Sequence, residues 1–131
     1  MKLVVSGSRG LYSKKVEDLI EQTINKLKEK FKIEIKEIVH GDCRKSPDQS
    51  AHDYCIRTGM KETKFPADWN GPLKKGAGFK RNVDMAEYGD ILLSIMKHGG
   101  TNGSKHMVEV MRINKKRVIL LIYHPDTEML D

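Results

Sequence analysis

Five short apolar runs, separated by stretches of helical periodicity and by glycine-rich turns, predict an α/β protein built on one doubly wound parallel sheet. Two runs carry the prediction. Leu3-Val4-Val5 and Ile91-Leu92-Leu93-Ser94-Ile95-Met96 are apolar almost without alternation, as strands buried on both faces are. The length of 131 residues accommodates one core of ordinary size, so residues 1–131 are read as a single domain.

The first strand runs over Lys2 to Ser6 and stops at Gly7, delivering Gly7-Ser8-Arg9-Gly10 to its carboxyl end. Val16, Leu19, Ile20, Ile24 and Leu27 then recur at three- and four-residue spacing. They predict an amphipathic helix capped by Ser13 and reaching about Lys30. Ile35, Ile38 and Val39 mark the second strand, closed by His40-Gly41, and Pro47 to Arg57 has helical character before Gly59. Met60 to Phe65 supplies a third strand, and Gly78 to Glu87 a third helix after a loop containing Pro66, Trp69 and Pro72. The fourth strand, Asp90 to Met96, ends in a loop from Lys97 to Ser104; a helix over Lys105 to Ile113 and a strand over Arg117 to Ile122 complete the chain. Right-handed crossovers then give the order 3-2-1-4-5, a Rossmann-like, three-layer α/β/α sheet whose topological switch lies between strands one and four.

A net charge of +6 favours anionic partners without naming one. Much of it sits at Lys26, Lys28, Lys30 and Lys32 and at Lys115, Lys116 and Arg117, where cations suit the carboxyl ends of helices. No run approaches the ~20 apolar residues of a membrane span, and no signal-peptide pattern follows Met1, so a cytoplasmic protein is expected. Cys43 and Cys55 do not make a disulfide framework. Asp48 and His52 beside His40, Asp42 and Cys43 lack the spacing of a zinc motif, so no metal and no resident cofactor is expected. Few aromatics and no reader motif make nucleic acid the weakest of the anionic candidates.

The two loops that flank the predicted switch are the richest in glycine. Gly7-Ser8-Arg9-Gly10 and Gly99-Gly100-Thr101-Asn102-Gly103-Ser104 allow backbone amides to approach an oxyanion, and the helix after each offers unpaired N–H groups. Ser8, Thr101 and Ser104 add hydroxyls, and Arg9 can clamp a phosphate with two N–H bonds. Trp69 has two readings, a platform for a base or an anchor for its loop.

Taken together, Gly7-Ser8-Arg9, His40-Gly41 with Asp48 and Ala51, Phe65-Pro66-Ala67-Asp68-Trp69, Gly76-Ala77-Gly78 with Arg81-Asn82 and Met85, and Gly99-Gly100 with Gly103-Ser104 resemble the YspA-like branch of the SLOG superfamily. The resemblance spans almost the whole chain and implies the same Rossmann-like sheet. It implies a nucleotide-derived, phosphate-bearing ligand held by Gly7, Ser8, Arg9, His40, Gly41, Asp48, Trp69, Arg81, Asn82, Gly99, Gly100, Thr101, Gly103 and Ser104. By analogy it also implies a homo-oligomer, a dimer or larger.

The superfamily includes the LOG-type phosphoribohydrolases, the DNA-processing protein DprA and sensors of nucleotide derivatives, so several activities are implied. Arg81 matches an Arg of the LOG enzymes and, with Asp48, is the candidate for catalysis. The catalytic Glu of those enzymes is not matched: Met107 stands in its place, and Glu109, two residues on, is turned about 200° around a helix. Binding or sensing is therefore the first expectation, nucleotide hydrolysis the second, and DprA-like binding of nucleic acid the third.

Overall fold

A computed structural model describes residues 1–100, 102–124 and 129–130. Strands β1 (Lys2–Gly7), β2 (Glu37–His40), β3 (Lys61–Lys64), β4 (Ile91–Lys97) and β5 (Arg117–His124) alternate with helices α1 (Lys14–Phe31), α2 (Pro47–Thr58), α3 (Ala77–Tyr88) and α4 (Asn102–Ile113). The five strands are parallel in the order β3-β2-β1-β4-β5, as the alternation of elements predicts. A two-residue strand, β6 (Met129–Leu130), adds antiparallel to the outer side of β5. No helix among the described residues is long and apolar enough to cross a membrane.

Local chemistry accounts for the boundaries. Ser13 Oγ accepts the Val16 N–H at 3.2 Å at the start of α1, and Ser46 Oγ accepts the Asp48 N–H at 3.1 Å where Pro47 begins α2, each satisfying a donor the helix cannot. Lys116, one of the cations assigned to helix ends, reaches the carboxyl end of α3, its Nζ donating to the carbonyls of Ala86, Glu87 and Gly89. One boundary departs from expectation: α4 starts at Asn102, three residues before the predicted Lys105. Gly103 and Ser104 are thus in its first turn, where backbone N–H groups find no acceptor within the helix itself.

Strand alternation divides the core in two. Leu3 and Val5 of β1 and Leu93 and Ile95 of β4 pack with Val16, Ile20, Ile24 and Leu27 of α1 and Ala51, Tyr54 and Cys55 of α2. Val4, Leu92 and Met96 face the other way, against Met85 and Ala86 of α3 and Met107, Val108 and Met111 of α4. The first layer is further tied by Arg57 of α2, whose Nε donates to Glu17 of α1 at 2.6 Å and whose Nη2 donates to Glu21. Burial pushes the Glu17 carboxyl up, but bonds from Lys14 and Arg57 outweigh it and hold the group below its ordinary value.

Candidate functional site

The carboxyl ends of β1 and β2 and the amino ends of α2, α3 and α4 enclose a cavity of about 940 Å³, at the switch between β1 and β4 where open α/β sheets bind ligands. Gly7 and Arg9 from the β1–α1 loop, Gly41 and Asp48 from the second unit, Trp69, Arg81 and Asn82, and Gly103 and Ser104 from the first turn of α4 all line it. Gly7 and Arg9 of the first loop singled out in the sequence and Gly103 and Ser104 at the end of the second therefore meet in one cavity beside Arg81.

Arg81 is fixed by its neighbours. Its Nη1 donates to the Gly41 carbonyl at 2.8 Å and to the Phe65 carbonyl at 3.4 Å, and its Nε donates to Asn82 Oδ1 at 3.1 Å. These bonds use Nε and Nη1, so Nη2 still has its N–H groups to donate. A Cβ at Gly41 would land on Arg81 Nη1, so the glycine leaves room for the guanidinium in this position. Asn82 extends the arrangement, its Nδ2 donating to the Gly103 carbonyl at 3.2 Å, so the guanidinium and the amino end of α4 are held in one register.

Asp48 is buried, and its Oδ2 accepts the N–H groups of Gly41 and Cys43, both at 3.1 Å. Its first task is thus to fold the β2–α2 loop. Burial pushes its carboxyl above the ordinary range, against the pull of His40 first, then of the Cys43 N–H, Arg81 and the Gly41 N–H. Oδ1 takes no bond from a described residue. In the same loop Asp42 (φ 57°) and Lys45 (φ 56°) adopt left-handed backbone, which costs a non-glycine residue energy and tends to occur where a loop has a task.

Other expected residues stand elsewhere. Ser8 is fully buried, with its N–H on the Ile95 carbonyl at 3.0 Å and its Oγ accepting the Lys97 N–H at 2.9 Å; it pins β1 to β4 and does not line the cavity. Gly99 and Gly100 adopt φ of 87° and 68° and reverse the chain after β4, away from the lining. Thr101 lies outside the described residues. His40 is fully buried behind the cavity wall.

His40 Nε2 and His52 Nδ1 both approach Glu62 Oε2, at 2.6 and 2.8 Å, so a cluster forms around Glu62, which the sequence reading passed over. The three ligand-type atoms lie within 4.8 Å of one another. The Asp42 N–H, however, donates to His40 Nδ1 at 3.0 Å. That bond takes the Nδ1 lone pair and places the ring proton on Nε2, facing Glu62, which leaves Nε2 without a lone pair for a metal while the bond persists. The geometry suits a carboxylate shared by two imidazoles. Burial pushes the Glu62 carboxyl up, and its bonds to His40 and His52 more than reverse that.

Several lining residues were not anticipated: Ser6, Cys43, Arg44, Lys45, Phe79, Met85 and Met107. Arg44-Lys45 had a legible signal, two adjacent cations between a strand-ending His-Gly and a helix-starting Pro. They make the lining cationic, with Arg9, Arg44, Lys45 and Arg81 against Asp42 and Asp48. Trp69, 55% exposed, and Phe79, 46% exposed, line the same cavity, so Trp69 is no core anchor, and its ring edge lies over Gly78. Met107 lines the cavity, whereas Glu109 faces a separate groove with Met96, Arg112 and Ile113, as their separation around the helix requires. Comparison with protein-family models, curated proteins and solved structures finds no match to this chain.

Proposed function

We propose that this protein binds a nucleotide-derived, phosphate-bearing small molecule, in keeping with its resemblance to the YspA-like branch of the SLOG superfamily. The observation that carries the reading is the mixed lining of one cavity. Arg9 and Arg81, Gly7 and Gly103, and two half-exposed aromatic rings, Trp69 and Phe79, all face into it. An anion needs the arginines and the glycine amides, and a planar base the rings. Amides at a helix start and a guanidinium held by carbonyls are set before a ligand arrives, which lowers the cost of binding.

The test is mass spectrometry of small molecules that co-purify with the protein, followed by amide NMR titration with inorganic phosphate and a panel of nucleoside phosphates. Saturable shifts at Gly7, Arg9, Gly41 and Gly103 are expected, and their loss in Arg81→Ala. A panel that leaves these amides unmoved would overturn the proposal.

A second reading, cleavage of such a nucleotide at its glycosidic bond, is favoured by Asp48 alone. A buried carboxyl pushed upward, with one oxygen unengaged and facing a cationic cleft, is suited to proton transfer. Free base or ribose phosphate accumulating with wild-type protein but not with Asp48→Asn is its expected signature; no release from any nucleotide in the panel would end it.

A further inference from the structure

The two edges of the sheet are unlike. β3 is four residues long, and Lys61, Glu62 and Lys64 of it are charged, which keeps an open edge from pairing with another chain. β5 is eight residues long and runs from Val118 to Tyr123 without a charge. Its inner side is taken by β4 over Arg117 to Tyr123. On its outer side β6 pairs with Tyr123 and His124, so among the described residues the outer backbone groups of Arg117 to Leu121 meet no strand. β4 is buried from Ile91 to Met96, whereas no residue from Arg117 to Tyr123 is fully buried.

Apolar surface continues from this edge onto α4. Val118 and Ile122 pack on the side covered by α3 and α4, so alternation turns Leu120 the same way. Leu120 is 41% exposed and Ile113, the last residue of α4, 68%. Both line one groove with Lys105, Glu109 and Arg112, which share a face of α4 at four- and three-residue spacing. These three exposed charges, of both signs, pair neither with one another nor with any other described residue.

We propose that this edge seats a second copy of the chain, the two β5 strands pairing antiparallel across a two-fold axis to make one continuous sheet. A two-fold contact sets the same patch against itself, so the patch must be self-complementary. An edge strand satisfies this in its backbone, since antiparallel pairing matches donors to acceptors of an identical strand. The apolar part satisfies it through Leu120 and Ile113. The charged part satisfies it because the axis brings the two α4 helices alongside in opposite directions, where Glu109 of one copy can meet Lys105 and Arg112 of the other. A partner of one sign, such as nucleic acid, would meet a like charge at Glu109. β6 bounds the seat, and the inference is independent of what the cavity on the far side of β4 binds.

The test is sedimentation of the whole chain with three variants. Wild type should show twice the chain mass of 15.0 kDa at about 100 μM, a concentration well above a micromolar Kd. Leu120→Lys, which sets like charges beside the axis, should raise the dimer Kd at least about tenfold with the circular dichroism unchanged. Glu109→Arg should weaken the dimer by about three- to tenfold, and adding Arg112→Glu to it should restore most of the loss. Both charge changes lie on an exposed helix face, so they decide the matter even if Leu120→Lys does not fold. A wild type that stays at 15.0 kDa would overturn the proposal, as would a dimer indifferent to the charge reversal and its compensation.

Discussion

The two faces of the sheet differ in kind. Against α1 and α2 the core is Leu3, Val5, Ile20, Ile24, Leu93 and Ile95, branched side chains with few rotamers. Against α3 and α4 it is Val4, Leu92 and four methionines, Met85, Met96, Met107 and Met111, and the buried hydroxyls of Ser6 and Ser94, on the same side of the sheet, have no partner among the described residues. Branched residues fix one packing; methionine adapts to irregular space. The first face is built for stability. The second continues into the cavity through Met85 and Met107 and tolerates polar groups that a pure core would exclude. The side covered by α1 and α2 thus carries the more rigid packing, and the side covered by α3 and α4 the more adaptable one.

The sharpest way to break this division is on the first face. Leu93→Ala should cost about 3 kcal/mol in urea unfolding, with phosphate affinity of the folded protein unchanged; a parallel loss of affinity would mean the faces are coupled. Gly41→Ala should do the reverse. Its methyl displaces the end of the Arg81 side chain, so phosphate affinity should fall about tenfold while stability changes by less than about 1 kcal/mol. Unfolding with affinity preserved would contradict the role given to Arg81.

Asp48→Asn sharpens the comparison through pH. The Asp48 carboxyl is raised in the folded protein, so the native state holds that proton more tightly and this residue weakens folding as pH rises from the ordinary Asp value through the raised one. The variant should therefore gain on wild type in urea midpoint across that interval and hold its advantage at neutral pH. Glu17, Glu37 and Glu62 are lowered and act oppositely: their support is present above the ordinary Glu value and is lost as pH falls through their folded values, in variant and wild type alike. Midpoint curves that stay parallel would show that Asp48 is not raised. The smallest effect is expected for Ser94→Ala, which removes a buried hydroxyl without a partner and should leave the unfolding midpoint unchanged or raise it, by about 1 kcal/mol at most. A clear loss would make that hydroxyl part of the core's own bonding.

The order of strands and helices was legible along the chain because each element carries its own signal: Ser13 before a periodic helix, Pro47 after Ser46, and an apolar run from Ile91 to Met96. The meeting of Gly7, Arg9, Arg81 and Gly103 followed from that order, since a switch point is a consequence of connectivity. The assignment of Ser8 and Gly99-Gly100 to the lining did not follow. Whether a loop residue faces a cavity or the strand behind it depends on backbone angles that its own identity leaves open, and Ser8 instead turns toward the N–H of Lys97.

By itself, then, the sequence determined the α/β class, the strand order and the edge of the sheet at which a site is built, because periodicity and turn chemistry act over a few residues. Only the tertiary structure decided that Glu62 joins His40 to His52, that Gly41 leaves room for Arg81, and that Ser6 lies opposite Ser94. Each of these contacts joins residues far apart along the chain. Their energies depend on burial and approach distances that arise only once the sheet has closed around them.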